Sequence, residues 1–421
     1  MRKRILTAVC GVLCAAAVSA SASAAQLGEV HAKSAILMTD TGQVLFEHNA
    51  DAVHPPASVT KLMTMLLTIE AVDSGSASLD DWVTASAHAA EMGGSQIYLK
   101  EGERMTLDDM LKSIAVASAN DAAVAVAEHL GGSEAHFVSM MNERAKQLGC
   151  KRTEFVNPNG LDTDGEQTKT TARDLALISQ QLLRHPKILT YTSIWMDSVR
   201  NGSFGLANTN KMLKLYDGMV GLKTGYTSTA GYCISAAAQR DGMCLLAVVL
   251  GEPDKQSRNQ DITAMLNYGF AEYTVVPIAD GETLPEVAVE LGTRGSVPVK
   301  LAEETPLLLK KTEAGSIRRE IVCAQRTRAP VQAGDKLGEI IVTGSGGELA
   351  RRALVAADSA DKNHRERRIG FWRKSVLNAG ILLTLLYRMV FKAGKGSRLK
   401  DGDENHHSGG CERGYSGRSG G

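Results

Sequence analysis

The chain of 421 residues has no surplus of either charge: Lys+Arg and Asp+Glu both number 47. Proteins that live on nucleic acid usually carry a basic excess, so this balance argues against nucleic acid as the main partner. Cysteine is sparse and scattered. Of seven, five lie beyond Ala25: Cys150, Cys233, Cys244, Cys323 and Cys411. An odd, dispersed set does not read as a disulfide framework. There is no C-x-x-C pair and no H-E-x-x-H. No metal site is therefore read. No G-x-S-x-G stands ahead of the Gly/Ser-rich tail. That removes the usual α/β-hydrolase signature. The longest apolar run in the last quarter of the chain is Val376–Phe391. It is too short for a comfortable spanning helix, which needs about 20 residues. What remains is an ordinary globular composition, 43% hydrophobic and 22% charged. The length suffices for two or three domains.

The start of the chain carries an address. Met1-Arg2-Lys3-Arg4 is a positive n-region, Ile5–Val18 an apolar h-region, and Ala20–Ala25 a run of small residues. That pattern predicts a signal peptide over 1–25, cut after Ala24 or Ala25. Leu13 stands before Cys14, where a lipoprotein signal needs a small residue. The function is expected outside the cytoplasm.

Ser34–Thr39 and Val44–His48 flank a turn at Asp40–Gln43. Together they predict a hairpin. Pro55-Pro56-Ala57 then leads into Ser58-Val59-Thr60-Lys61 and the apolar run Leu62–Leu67. Prolines suit a helix entry. Ser58 is expected at the helix N-terminus, where free N–H groups favour developing negative charge. Lys61, three residues on, shares its face. A hydroxyl needs a neighbouring base to become a nucleophile, and a lysine with a weakened hold on its proton can be that base. His54 is nearby and could also be a base, but Lys61 has the better spacing.

Leu79–Ala87 reads as a short strand. A helical block follows with Thr106 as its cap. Ser118-Ala119-Asn120 lies between this block and an Ala/Val helix at Ala122–Leu130. Packing alone would make Ser118 and Asn120 caps of that helix. A site would give these buried polar groups partners instead. Helices are predicted over Glu134–Leu148 and from a Thr171 cap to Arg184. The turn cluster Asn157–Asp162 lies between them. Val220–Thr224 reads as a strand running into Lys223-Thr224-Gly225. Glycine there admits a ligand backbone. Tyr232–Gln239 and Met243–Gly251 form a hairpin, and Ile262–Phe270 a helix. Strands at both ends with helices between predict an α+β sheet closing over a helical insert.

Short β-rich runs and turns fill 275–356. They predict a small all-β domain after a catalytic domain at 26–274. A charged linker is read at 357–374. At 375–392 and its flanks, polar positions Lys374, Asn378, Thr384, Arg388 and Lys392 fall on one side of a helical wheel, interrupted by Ile381 and Leu385. The basic flanks favour an in-plane, membrane-associating helix over one packed on its own protein. The tail 393–421 is Gly, Ser and charge. Such a composition reads as disordered.

Ser58-x-x-Lys61, Ser118-x-Asn120 and Lys223-Thr224-Gly225 occur together in one exported chain. Jointly they form a strong signal. With Pro56–Met63, Asn157–Asp162 and the segment Asp217-Gly218-x-x-Gly221 through Tyr232, the sequence resembles the low-molecular-mass penicillin-binding proteins, the serine-type D-Ala-D-Ala carboxypeptidases. The resemblance covers about residues 30 to 275 closely. It implies a β-lactamase/transpeptidase-like fold, an antiparallel sheet with a helical subdomain. It implies acyl transfer at Ser58 with Lys61 as base, Ser118 relaying a proton and Asn120 orienting Lys61. Lys223, Thr224, Gly225, Tyr226 and Arg258 would bind substrate, with backbone N–H groups of Ser58 and Tyr226 as oxyanion hole. No cofactor is implied. The implied partners are the peptidoglycan stem pentapeptide, β-lactams as inhibitors and the outer face of the cytoplasmic membrane. Competing readings are a β-lactamase, an endopeptidase on cross-links, and a catalytically silent wall-binding protein. Ala119 in place of aspartate, and the lack of an E-x-x-L-N run, leave fast penicillin hydrolysis unsupported.

Overall fold

The computed structural model describes residues 27–162 and 165–393. The signal-peptide reading at 1–25 and the tail from residue 394 lie outside the described residues. The chain divides into two compact units: one holds the residues to Asp280 with 304–318 and 342–350, the other 281–303, 319–341 and 351 onward.

The first unit is organised on a five-stranded sheet in the order Val44–His48, Ser34–Thr39, Met243–Glu252, Gly231–Arg240, Met219–Thr227, with every pairing antiparallel. Two strands come from the start of the chain and three from beyond the helices, the α+β arrangement that the order of elements predicts. Alternation along the strands divides the apolar residues between two cores. Ile36 and Met38 join the helical middle of the chain, whereas Ala35 and Leu37 face Ile262, Met265 and Leu266 of the helix Lys255–Glu272. Met243–Glu252 is a nearly continuous apolar run, buried almost throughout. Such a run is what a strand covered on both faces requires.

The helical middle comprises Lys61–Asp73, Leu107–Val116, Asn120–Gly131, Glu134–Gln147 and Ala172–Leu183. Thr106 and Thr171 cap their helices by accepting from Asp109 N and Asp174 N at 3.2 and 3.0 Å. Each cap satisfies a donor that the first turn leaves free. Leu62, Met63, Met65, Leu66 and Ile69 are wholly buried. Burying one such side chain contributes about 1.5–3 kcal/mol. The Ala/Val helix is buried from Asn120 through Ala127, so it anchors what precedes it.

Several boundaries differ from the sequence reading. Ser58 sits in a 3-10 turn, Ala57–Thr60, and the α-helix starts only at Lys61. Ala57 at φ +50° sets up that tighter entry. The strand read at Leu79–Ala87 is confined to Trp82–Thr84, because Ser86 caps a short helix at Ala87–Ala90. The last helix of the unit starts at Lys255 rather than Ile262, so Arg258 lies inside it. Its first turn shows no apolar periodicity; Asp254, accepting from Gln256 N and Ser257 N, starts it. A hairpin of Met196–Val199 with Phe204–Ala207 has no counterpart in the reading.

Beyond Asp280 the chain forms a six-stranded sheet, in the order Arg318–Cys323, Lys336–Gly344, Gly347–Ala356, Ser296–Leu301, Glu286–Glu290, Arg326–Arg328. A helix follows at His364–Ala393, on which Val376, Leu377, Ile381, Leu382, Leu383, Leu385, Leu386 and Tyr387 are exposed. Among the described residues no helix is long and apolar enough to cross a membrane.

Candidate active site

Three elements meet at one place. The turn Ala57–Thr60 brings Ser58, half-buried, to the mouth of the helix Lys61–Asp73. One turn on, Lys61 is wholly buried, with Nζ 3.0 Å from Ser58 Oγ, 2.5 Å from Asn120 Oδ1 and 2.7 Å from the Asn159 carbonyl. The last two are carbonyl oxygens and can only accept. A neutral Lys61 amine would give its two hydrogens to them, and its lone pair would then face the one neighbour able to donate, the Ser58 hydroxyl.

Ser118 and Asn120 do not cap the helix they precede; Ala119 holds that position with no side-chain cap. Asn120 donates instead to the Gly93 carbonyl at 2.7 Å while its Oδ1 meets Lys61. Ser118 has a positive φ, 63°. This left-handed backbone costs a non-glycine residue about 1–3 kcal/mol and collects at functional sites. Here it presents Oγ to Lys223 Nζ at 2.8 Å. Asp121 fixes the segment from below. Fully buried, its carboxylate accepts from Ile97 N, Leu99 N and Ala122 N at 2.9–3.0 Å.

The third element is the edge strand Met219–Thr227. Lys223, 1% exposed, donates to Ser118 Oγ and to the Thr224 carbonyl. Thr224 Oγ1 bonds Thr209 Oγ1 at 2.8 Å, tying the strand to the polar loop 208–210. A Cβ on Gly225 would stand 2.6 Å from the Pro56 carbonyl and 2.9 Å from Ser58 N. Only glycine lets the strand approach the Ser58 turn this closely. Tyr226 is exposed and packs on Tyr232, with ring centroids 4.3 Å apart.

Charge follows burial here. Lys61 holds its proton far more weakly than a free lysine, first because burial penalises the ammonium, then because Lys223 repels it; Asp121 opposes both. Both causes disfavour the charged form of a lysine. Burial and Arg258 bring Lys223 down to about 7. Arg258 is 5% exposed and bonds the Asn259 side chain. It reaches Lys223 through its field, with no direct hydrogen bond between them.

The structure therefore brings Ser58, Lys61, Ser118, Asn120, Lys223, Thr224 and Gly225 into contact or near contact. Sequence reading misses three contributors. The Asn159 carbonyl is a main-chain atom, flagged only by its turn cluster. Asp121 reads as an ordinary helix-start acid, and Thr209 as loop. Among the described residues no group of three His, Cys, Asp or Glu side chains could hold a metal ion.

A D-alanyl-D-alanine carboxypeptidase family profile matches residues 18–254, and one for the penicillin-binding protein 5 C-terminal domain matches 273–362. The chain is 40% identical over 353 residues to the D-alanyl-D-alanine carboxypeptidase DacF of Bacillus subtilis, covering 82% of this chain and 90% of that relative. It resembles the crystal structure of penicillin-binding protein 6B from Escherichia coli with TM-score 0.65 and 31% identity, covering 79% of this chain and 98% of that one. Ampicillin-bound penicillin-binding protein D2 from Listeria monocytogenes matches with TM-score 0.53 and 35% identity, over 57% of this chain and 98% of that one. By motif, geometry and relatedness together, the chain belongs to the serine-type D-alanyl-D-alanine carboxypeptidases, a low-molecular-mass penicillin-binding protein family.

Proposed function

We propose that the protein is exported and removes the terminal D-alanine from peptidoglycan pentapeptides through a Ser58 acyl-enzyme. The observation that carries this reading is the triple environment of Lys61 Nζ: two carbonyl acceptors and one hydroxyl. Ser58 Oγ attacks the carbonyl carbon between the two D-alanines while Lys61 takes its proton. The oxyanion rests on the backbone N–H groups of Ser58 and Tyr226, each such donor typically worth about 3–4 kcal/mol. The C–N bond breaks, Ser118 relays a proton to the leaving amine, and D-alanine departs. Water then attacks the ester and regenerates Ser58. Asn120 orients Lys61 and holds the substrate's peptide backbone. Lys223, Thr224 and Arg258 receive its terminal carboxylate.

A groove of about 660 Å³ beside Asn159, lined by His88, Met92, Val138 and Leu161, has room for the rest of the stem peptide. A β-lactam carries an amide-like carbonyl and a carboxylate in the same relation, so it acylates Ser58 as well. Ala119 is buried and apolar, and no E-x-x-L-N run supplies the second carboxylate that would speed release of that adduct. A long-lived penicillin ester is expected, not turnover. Free D-alanine released by pure protein from a peptide ending in D-Ala-D-Ala tests the reading; no release with Ser58 intact would sink it.

The domain division at 26–274 and 275–356 belongs to the same proposal, and the adjoining profile matches support it. So does attachment to the outer face of the cytoplasmic membrane through the helix over 375–392. Its exposed leucines, with Lys374 and Arg388 among them, are the supporting observation. An apolar face with basic flanks suits the membrane interface. If a chain ending before Lys374 sediments with anionic vesicles as fully as the whole protein, this helix is not the anchor.

A further inference from the structure

Glu252 ends the central strand Met243–Glu252, is 0% exposed, and as a carboxylate finds no donor for either oxygen. Burying an unpaired carboxylate is expensive, so a group so placed stays neutral where it can. Two other carboxyls stand on the helix of Arg258 and at its cap, and each already has donors. Asp254 accepts from Gln256 N, Ser257 N and Ser257 Oγ at the helix cap. Asp261, one turn beyond Arg258, accepts from His31 N at 2.6 Å, Ala32 N at 3.1 Å and faces His31 Nδ1 at 3.1 Å. Of the three, Glu252 is the carboxyl whose charge acts on the Arg258 guanidinium. Arg258 keeps Asn259 as its side-chain partner, and no ion pair to it stands among the described residues' contacts.

We propose that Glu252 is a positioning residue: as a neutral acid donating its O–H to Asp261, it leaves the Arg258 guanidinium open for the substrate's terminal carboxylate. This rests on the reading of Arg258 as a carboxylate ligand. Burial, then the hydrogen bond to Asp261 and its charge, push the Glu252 carboxyl up to about 8. Ionised above that, Glu252 becomes an unpartnered anion beside Arg258 and competes with substrate for it. The charged and titratable groups around Glu252 are Asp261 and Arg258 from the helix and Asp254 at its cap. Cys233 and Tyr232 face it from the neighbouring strand, and His31 and Lys33 from the N-terminal segment.

The test is KM and kcat of the full chain on a peptide ending in D-Ala-D-Ala, across a range of pH on both sides of neutrality. In the unaltered protein KM climbs once Glu252 ionises, by up to about tenfold per pH unit, while kcat does not follow it. In Glu252→Gln, which cannot ionise, that climb is gone; the Lys223 titration is common to both proteins and cancels in the comparison. Superimposable KM profiles overturn the proposal. Asp261→Asn is the second variant: without the neighbouring anion Glu252 ionises more readily, so the climb moves to lower pH, and an unmoved climb counts against the proposal. Arg258→Gln separates the two readings. A raised KM there with an unchanged Glu252→Gln profile removes the Glu252 role alone, and an unaffected KM removes the Arg258 reading with it.

Discussion

Lys61 and Lys223 are buried in one site, 0% and 1% exposed, and after burial itself the charge on Lys223 is what most weakens Lys61's hold on its proton. Lys223→Gln removes that repulsion. Lys61 then binds its proton more tightly, and the acidic limb of penicillin acylation shifts to higher pH. Carboxylate binding also falls, by roughly 10- to 100-fold, the worth of a hydrogen bond to a charged group. Lys223→Arg keeps the charge, so its acidic limb stays close to the parent's even if its fit is poorer. Second-order acylation rates across pH separate the two effects. An unmoved limb in Lys223→Gln would mean that the lysines do not communicate.

Ser58→Ala should abolish the covalent adduct outright. Incubated with benzylpenicillin, the parent gains the mass of the intact drug on the peptide carrying Ser58, and the variant gains none. A residue whose removal breaks an interacting set usually takes nearly all of the catalysis with it, so D-alanine release should fall by at least about 10³-fold. An adduct mapping to another residue would contradict the assignment.

Asn120→Asp is nearly isosteric and places a negative charge where a neutral oxygen now stands 2.5 Å from Lys61 Nζ. An anion stabilises the protonated lysine, so the base is lost near neutrality and regained as pH rises. Activity at neutral pH drops about tenfold for each unit the Lys61 pKa climbs. The falsifying result is an acidic limb at the parent's position.

Asp121→Ala tests the foundation of the site. It leaves the N–H groups of Ile97, Leu99 and Ala122 without their acceptor. At about 1–3 kcal/mol for each unsatisfied buried donor, the cost should exceed roughly 3 kcal/mol unless water enters. Chemical denaturation would show it as a lower midpoint with an unchanged slope.

How much of this is legible in the sequence follows from what side chains can announce. Ser58, Lys61, Ser118, Asn120 and Lys223 stand in short local motifs, and their spacings survive folding because each motif occupies one continuous stretch of chain. The sheet built from both chain ends is legible from the hairpin at Ser34–His48 and the apolar run of Met243–Glu252. The Asn159 carbonyl is not, since a main-chain acceptor has no residue signature. Glu252 cannot be distinguished from a surface acid, because its burial comes from a helix and an N-terminal segment that folding brings to it. The start of the helix at Lys255 is hidden by a polar first turn, leaving the Asp254 cap as its one signal.

Gly160 shows how closely the turn cluster grips the turn that carries Ser58. At φ +79°, its added Cβ would stand 2.0 Å from the Ala57 carbonyl oxygen and 2.7 Å from Thr60 Oγ1. Gly75 has nearly the same backbone, φ +75°, but nothing within 4 Å of such a carbon. Gly75→Ala therefore pays for left-handed backbone alone, about 1–2 kcal/mol, and should leave penicillin acylation near the parent rate. Gly160→Ala carries that same backbone cost and must also push back the turn Ala57–Thr60, moving Ser58 away from Lys61. A misplacement of about 1 Å can cost about 10²-fold in rate. The comparison of interest is acylation rate measured on folded protein, below the melting temperature of each variant. Equal rates for the two alanine variants would mean that the 157–162 cluster supports the fold without holding the nucleophile.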